Sequence, residues 1–97
     1  MNMEVEELEE VEEVLRDLGE EKLLRTLKGF ESIWGELKTK NGEDYARLAM
    51  LSFMEGMLAS LKRENRDPRV ERLYERVKGR RAELDELFRK PKMRNLQ

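Results

Sequence analysis

The chain has 97 residues, no cysteine, no histidine and a net charge of −2, and 43% of its residues are charged against 38% hydrophobic. That composition leaves no thiol nucleophile, disulfide or thiolate metal site, and no imidazole base or ligand. No apolar run reaches the roughly 18 residues that span a membrane, and no basic-then-apolar start precedes a small-residue cleavage site. The expectation is one small soluble domain in the cytoplasm. Glu, Lys and Arg are heavily used while Gln occurs only at position 97. This balance resembles that of hyperthermophile proteins, whose ion-pair networks lose less to desolvation.

The near-neutral total hides a gradient. Residues 1–21 carry ten acids and one base, net −9; residues 22–61 are net +1; residues 62–97 carry thirteen bases and seven acids, net +6. An acidic helix lying beside a basic one accounts for such a gradient, and so does a basic end that binds an anion. The first reading is favoured, because overall neutrality exerts little long-range pull on a polyanion.

Apolar residues recur at spacings of three and four throughout, which predicts helices and no strands. Helix one is expected over about 3–18, with Val5, Leu8, Val11, Val14, Leu15 and Leu18 on one side. Seven Glu occupy the ten positions from Glu4 to Glu13; acids suit a helix start, although so many repel one another. Gly19 is a left-handed stop. Helix two is expected over about 20–40, with Leu23, Leu27, Phe30, Trp34 and Leu37 as a packing seam that Leu24 and Ile33 widen. Gly29 and Gly35 weaken it or mark a kink, and Asn41-Gly42 closes it.

Helix three, over about 43–64, is the most apolar segment. It is apolar on most sides, so it is expected at the centre. Its row Ser52, Gly56 and Ser60 would allow a close helix crossing. Helix four, over about 68–90, opens on the clearest local signal, Asp67 as N-cap and Pro68 as first helical residue. Val70, Leu73, Val77, Leu84 and Phe88 form its inner face, and Pro91 is expected to stop it. Residues 91–97 then form a short basic flexible tail on a single domain of residues 1–90. Four helices with short connections predict an all-α, compact antiparallel four-helix bundle in which helix one neighbours helix four.

Four constellations bear on function. Arg69, Arg72, Arg76 and Arg80 fall within about 80° of one another on helix four. They form either an ion-pair ladder with helix one or a phosphate-facing surface for nucleic acid, extended by Arg63, Arg66, Lys90, Lys92 and Arg94. The ladder is favoured, since no aromatic residue interleaves the bases. Arg81 lies within about 40° of Val77 and Phe88 and interrupts the inner face. It is expected to snorkel or meet a Glu, or to act as a polar specificity residue at a subunit contact. Met50, Met54 and Met57 with Leu61 line one face of helix three, as core or as a half-covered face completed by another chain. Phe30 and Trp34 are read in the same two ways.

The last constellation is acidic. Glu9-Glu10-x-x-Glu13 and Glu64-x-x-Asp67 resemble the EExxE and ExxD elements of all-α nucleotide pyrophosphohydrolases of the MazG type. The resemblance covers only these positions. It implies Mg²⁺ between facing helices and hydrolysis of nucleoside triphosphates. No phosphate loop or dinucleotide fingerprint occurs, and the serines lack a histidine partner for a triad. The expected role is therefore non-enzymatic: a small interaction or scaffolding protein that forms a homodimer or docks a helical partner through Trp34, Met50, Phe53, Met54, Met57, Leu61 and Arg81. Nucleic-acid binding through the arginines is the alternative, and the nucleotide hydrolase ranks last. No cofactor or small-molecule ligand is indicated.

Overall fold

The computed structural model describes residues 5–34 and 40–95, with side chains over 5–34 and 42–88. They form four helices: α1 (Glu6–Asp17), α2 (Glu21–Trp34), α3 (Lys40–Glu64) and α4 (Pro68–Asn95). No strand occurs among the described residues.

In α1 the first-turn acids Glu6, Glu7 and Glu9 sit at the positive end of the helix dipole. Val5, Leu8, Val11, Val14 and Leu15 are all buried. The helix ends as its sequence predicts. Gly19 takes φ +72°, its N–H donates to the Arg16 carbonyl at 3.1 Å, and the Glu20 N–H donates to the Leu15 carbonyl at 2.9 Å. A β-carbon at that φ would be strained, which is why glycine stands there. The tight reversal lays α2 back along α1.

Two boundaries differ from expectation. Helix α2 is described as far as Trp34, where the described residues break off, and α3 already includes Lys40. Asn41 and Gly42 therefore open α3 and do not close α2. The first amide groups of a helix need no intrahelical acceptor, so weak helix formers are tolerated there. Gly35 and Leu37, expected within helix two, lie outside the described residues, as do Met3 and residues 96–97. At the other end, α4 runs through Pro91 to Asn95. Proline removes one bond, to the Leu87 carbonyl. Leu87 is 62% exposed, so that carbonyl lies toward the solvent side of the helix.

The start of α4 follows its signal. Asp67 Oδ1 accepts the Arg69 N–H at 2.9 Å, and Pro68 occupies the position whose N–H has no helical partner. Upstream, Asn65 Oδ1 accepts the Asp67 N–H at 3.1 Å, so the link between α3 and α4 is held by its own polar side chains.

Each helix packs on two neighbours: α1 on α2 and α4, and α3 on α2 and α4, with α3 and α4 in closest contact. Along α4, the contacts with α1 and with α3 each run in opposite sequence order. Asp17 meets Arg69, Glu10 meets Arg76 and Glu6 meets Arg80. Lys62 lies over the Tyr74 ring, Glu55 meets Arg81 and Tyr45 meets Phe88. The core is Leu27 of α2, the inner residues of α1, Met50, Leu51, Met54, Leu58 and Leu61 of α3, and Val70, Leu73 and Val77 of α4.

The helices are unequal. α1 and α2 have 12 and 14 residues, whereas α3 and α4 have 25 and 28. Helix α1, which ends at the Gly19 turn, therefore covers only one stretch of α4. Along α4, Val70, Leu73 and Val77 are buried, but Leu84 and Phe88, past the level of Glu6 in α1, are only half-buried. The result is an elongated body of 49 × 26 × 16 Å.

Candidate functional site

Helices α1 and α4 are joined by a ladder of carboxylates and guanidinium groups. Arg69 donates to Asp17 at 2.8 Å and to Asp67 at 2.9 Å. Arg76 donates to Glu10 at 3.0 and 3.1 Å and to Glu7 at 3.2 Å. Arg80 donates to Glu7 at 3.3 Å and to Glu6 at 3.4 Å. Hydrogen bonds to Asp67 and Asp17 hold the Arg69 guanidinium above its ordinary pKa. The bonds from Arg69 hold the Asp67 carboxyl below its own. Arg72 lies in a cleft of about 390 Å³ together with Glu10, Glu13, Arg69 and Arg76. Three of the four stripe arginines thus face carboxylates of the same chain. An approaching phosphate would compete with those partners and meet the carboxylates themselves.

Glu7 is unlike the other acids of this seam. It is the only charged residue that is buried among the described residues. Its Oε2 takes both arginine bonds, while its Oε1 is buried without a hydrogen-bond partner. Sequence periodicity did not single it out from its six neighbouring glutamates. Only its place beside Leu8 and Val11 on the inward side of α1 distinguishes it.

Arg81 meets a Glu, as one of its two readings expects. Its Nε donates to Glu55 Oε1 at 2.6 Å, and Asp85 lies 3.9 Å away. The hydrogen bonding to Glu55 contributes most to raising the Arg81 pKa, and the charges of Glu55 and Asp85 add to it. The pair ties α4 to α3.

The methionine row is core. Met50 and Met54 are fully buried, and Met57 and Leu61 nearly so. Phe53 and Trp34 are half-buried. Phe53 stacks on Phe30 with centroids 4.5 Å apart and planes at 10°, and Phe30 meets Trp34 at 5.9 Å. These rings join α2 to α3.

Beside them the two helices part into a groove of about 710 Å³. Leu23 of α2 with Phe53, Met57 and Leu61 of α3 form its apolar part, and Thr26, Ser52, Gly56 and Ser60 its open rim. Glu20, Lys22 and Glu64 stand at one end. The small-residue row expected to lie under a crossing helix is thus on the solvent side. A β-carbon added at Gly56 would meet nothing within 4 Å. The exposed residues of α3 from Tyr45 to Ser60 are Tyr45, Ser52, Gly56 and Ser60, and none is charged. On the adjoining edge of α2, Ile33 is 70% exposed.

The acids of the EExxE and ExxD elements are not gathered. Glu10 is bonded to Arg76, and Asp67 to Arg69 and the α4 backbone. Among the described residues no group of three or more acidic side chains is placed to hold a metal ion, and no helix is long and apolar enough to cross a membrane.

Fold and surfaces together define an all-α bundle with one charge-laced seam and one uncharged ridge, along α3 from Tyr45 to Ser60. Residues 8–97 match the family described as "Protein of unknown function (DUF3216)", and the chain belongs to that family. Comparison with curated proteins and with solved structures gives no match.

Proposed function

We propose that the protein is a small non-enzymatic interaction module whose working surface is the groove between α2 and α3. One observation carries this reading: in a chain with 43% charged residues, the solvent-facing ridge of α3 from Tyr45 to Ser60 bears no charge. Exposed helix surface that serves only solubility is normally charged. An uncharged ridge above an apolar groove has the character of a surface that a partner covers. A partner helix with an apolar stripe fits the groove's shape, with small residues on one wall and stacked aromatic rings beside it.

The groove, left open, accepts an apolar probe. Nile red added to dilute native protein is expected to gain fluorescence, and Ser52→Glu combined with Gly56→Glu is expected to abolish the gain without altering the circular dichroism spectrum. Fluorescence that is absent in the native protein, or unchanged in the double variant, would refute the docking surface.

A further inference from the structure

We propose that the cleft on the α1–α4 seam binds a small zwitterion, an amino acid with an apolar side chain. Its ammonium group would meet Glu13, its carboxylate Arg72, and its side chain Val14 and Leu73. This surface is separate from the α2–α3 groove and does not depend on it.

The cleft is a missing rung in a regular ladder. Asp17 pairs with Arg69 at 2.8 Å, Glu10 with Arg76 at 3.0 Å and Glu6 with Arg80 at 3.4 Å. Residues three and four apart share one edge of a helix, so Glu13 stands on the edge of Asp17 and Glu10, and Arg72 on the edge of Arg69 and Arg76. A rung between these two is expected and is not made. In the register that the other pairs set, Glu13 stands opposite Leu73 and Arg72 opposite Val14. Both charged side chains are exposed. Among the described residues the Glu13 carboxylate makes no hydrogen bond or ion pair, and Arg72 acts on Asp67 through charge alone. Val14 and Leu73, both buried, form the floor. With Glu10, Arg69 and Arg76 they line a cleft of about 390 Å³, which is the size of a small-molecule site. Spacing along the chain does not reveal it, because the rung is missing only once the helices are in register.

The neighbouring rungs decide what charge the ligand carries. Arg69 is held by Asp17 and Asp67, and Arg76 by Glu10 and Glu7. One carboxylate and one guanidinium are left. A phosphate would meet the Glu13 carboxylate beside Arg72, and a metal ion would meet the Arg72 charge beside Glu13. An uncharged apolar molecule would cover both groups without pairing either, which is costly. A zwitterion pairs both, and a guanidinium can hold a carboxylate by two parallel hydrogen bonds. The buried floor then receives the apolar side chain. Exposed charge pairs each contribute little, so the expected dissociation constant is on the order of 1 mM.

The test is a nitrogen–proton correlation NMR titration of the labelled full chain with L-leucine at low salt, carried well past the expected dissociation constant. Amide signals of residues 10–17 and 69–76 are expected to move together and to saturate. Leucinamide, which lacks the carboxylate, and 4-methylpentanoate, which lacks the ammonium group, are expected to bind about fivefold more weakly or not at all. Glu13→Gln and Arg72→Gln break no rung, so each is expected to keep the circular dichroism spectrum and melting temperature of the parent while weakening leucine binding by a similar factor. Glu86→Gln, exposed farther along α4, is expected to leave binding unchanged. No saturable shift, equal binding of leucine and its two single-charge analogues, or unchanged binding in either the Glu13 or the Arg72 variant would each overturn the proposal. So would shifts confined to the α2–α3 groove, which would assign leucine to the docking surface instead.

Discussion

The α1–α4 seam and the α2–α3 face are both boundaries between neighbouring helices, on opposite edges of the same ring, yet they are built from different chemistry. At the first, four carboxylates from α1 and three arginines from α4 close the boundary within the chain. At the second, stacked phenyl rings close one part, and the rest opens into a groove that is apolar along most of its length and charged only at the Glu20, Lys22 and Glu64 end. A chain with this many charges had the means to lace both edges. Exposed ion pairs add little stability individually, but they exclude apolar partners. The contrast is therefore one of closure: ion pairs within the chain close one edge, and the other is left open to solvent.

The largest expected effect separates the two sides of α3 itself. Met54 is fully buried against the other helices, while Ser52, two residues away, is exposed. Met54→Ala is expected to cost about 2–4 kcal/mol of unfolding free energy, the usual range for truncating a buried large side chain. Ser52→Ala is expected to change stability by less than about 0.5 kcal/mol, as surface substitutions do. Urea titrations of the two variants measure the difference. A loss below about 1 kcal/mol for Met54→Ala would place the methionine row on a surface and dissolve the distinction between core and docking face.

Much of this arrangement was legible in the chain. Asp67-Pro68 and Gly19 mark ends whose hydrogen bonds depend on local residue type alone, and both ends stand where those residues are. The acidic and basic helices are neighbours, because opposite charge runs at this density select each other. The two faces of α3 were harder to assign. Its apolar residues cover most of the helix wheel, so periodicity gave a central helix but did not say which side would lack a neighbour. Side-chain size settled that: the bulky Met50, Met54, Leu58 and Leu61 take the core, because small side chains bury little apolar area. Ser52, Gly56 and Ser60 are left facing outward. Pro91 misled in another way: the helix runs through it to Asn95, giving up the one bond to the Leu87 carbonyl.

A smaller effect tests how the charged seam is built. Glu7 is 2% exposed in its side chain and shared by Arg76 and Arg80, with one oxygen unpartnered. Both arginines keep a further carboxylate when Glu7 is removed, Glu10 for Arg76 and Glu6 for Arg80. Replacing a buried charge by an apolar residue of similar volume is often neutral or stabilising when its partners are not left buried and unpaired. Glu7→Met is therefore expected to leave the unfolding free energy unchanged or raise it by about 1 kcal/mol. A loss of more than about 2 kcal/mol in the same titration would mean that the bonds to Glu7 outweigh its desolvation and that the seam depends on its buried member.

The smallest signal is a difference between two pH profiles, and it isolates the single acid that serves both the seam and a helix end. Asp67 accepts the Arg69 amide and its guanidinium, and those bonds hold its pKa below the usual value of about 3.9. A carboxyl whose pKa is lowered by folding stabilises the folded state wherever it is ionised in both states. That contribution is complete above about pH 5 and is lost as pH falls through the ordinary value toward the depressed one. Asp67→Ala removes the cap and the pair together, so its melting temperature is expected to lie below that of the parent at neutral pH. The gap is expected to hold constant from pH 8 to 5 and to narrow between pH 4 and 2. Glu31 works in the opposite sense, because burial and the nearby Glu12 raise its pKa, so acid relieves a cost there. That relief is common to both proteins and cancels in the comparison. A gap that stays constant down to pH 2 would mean that Asp67 acts only by the shape of its cap and that its charge contributes nothing to the seam.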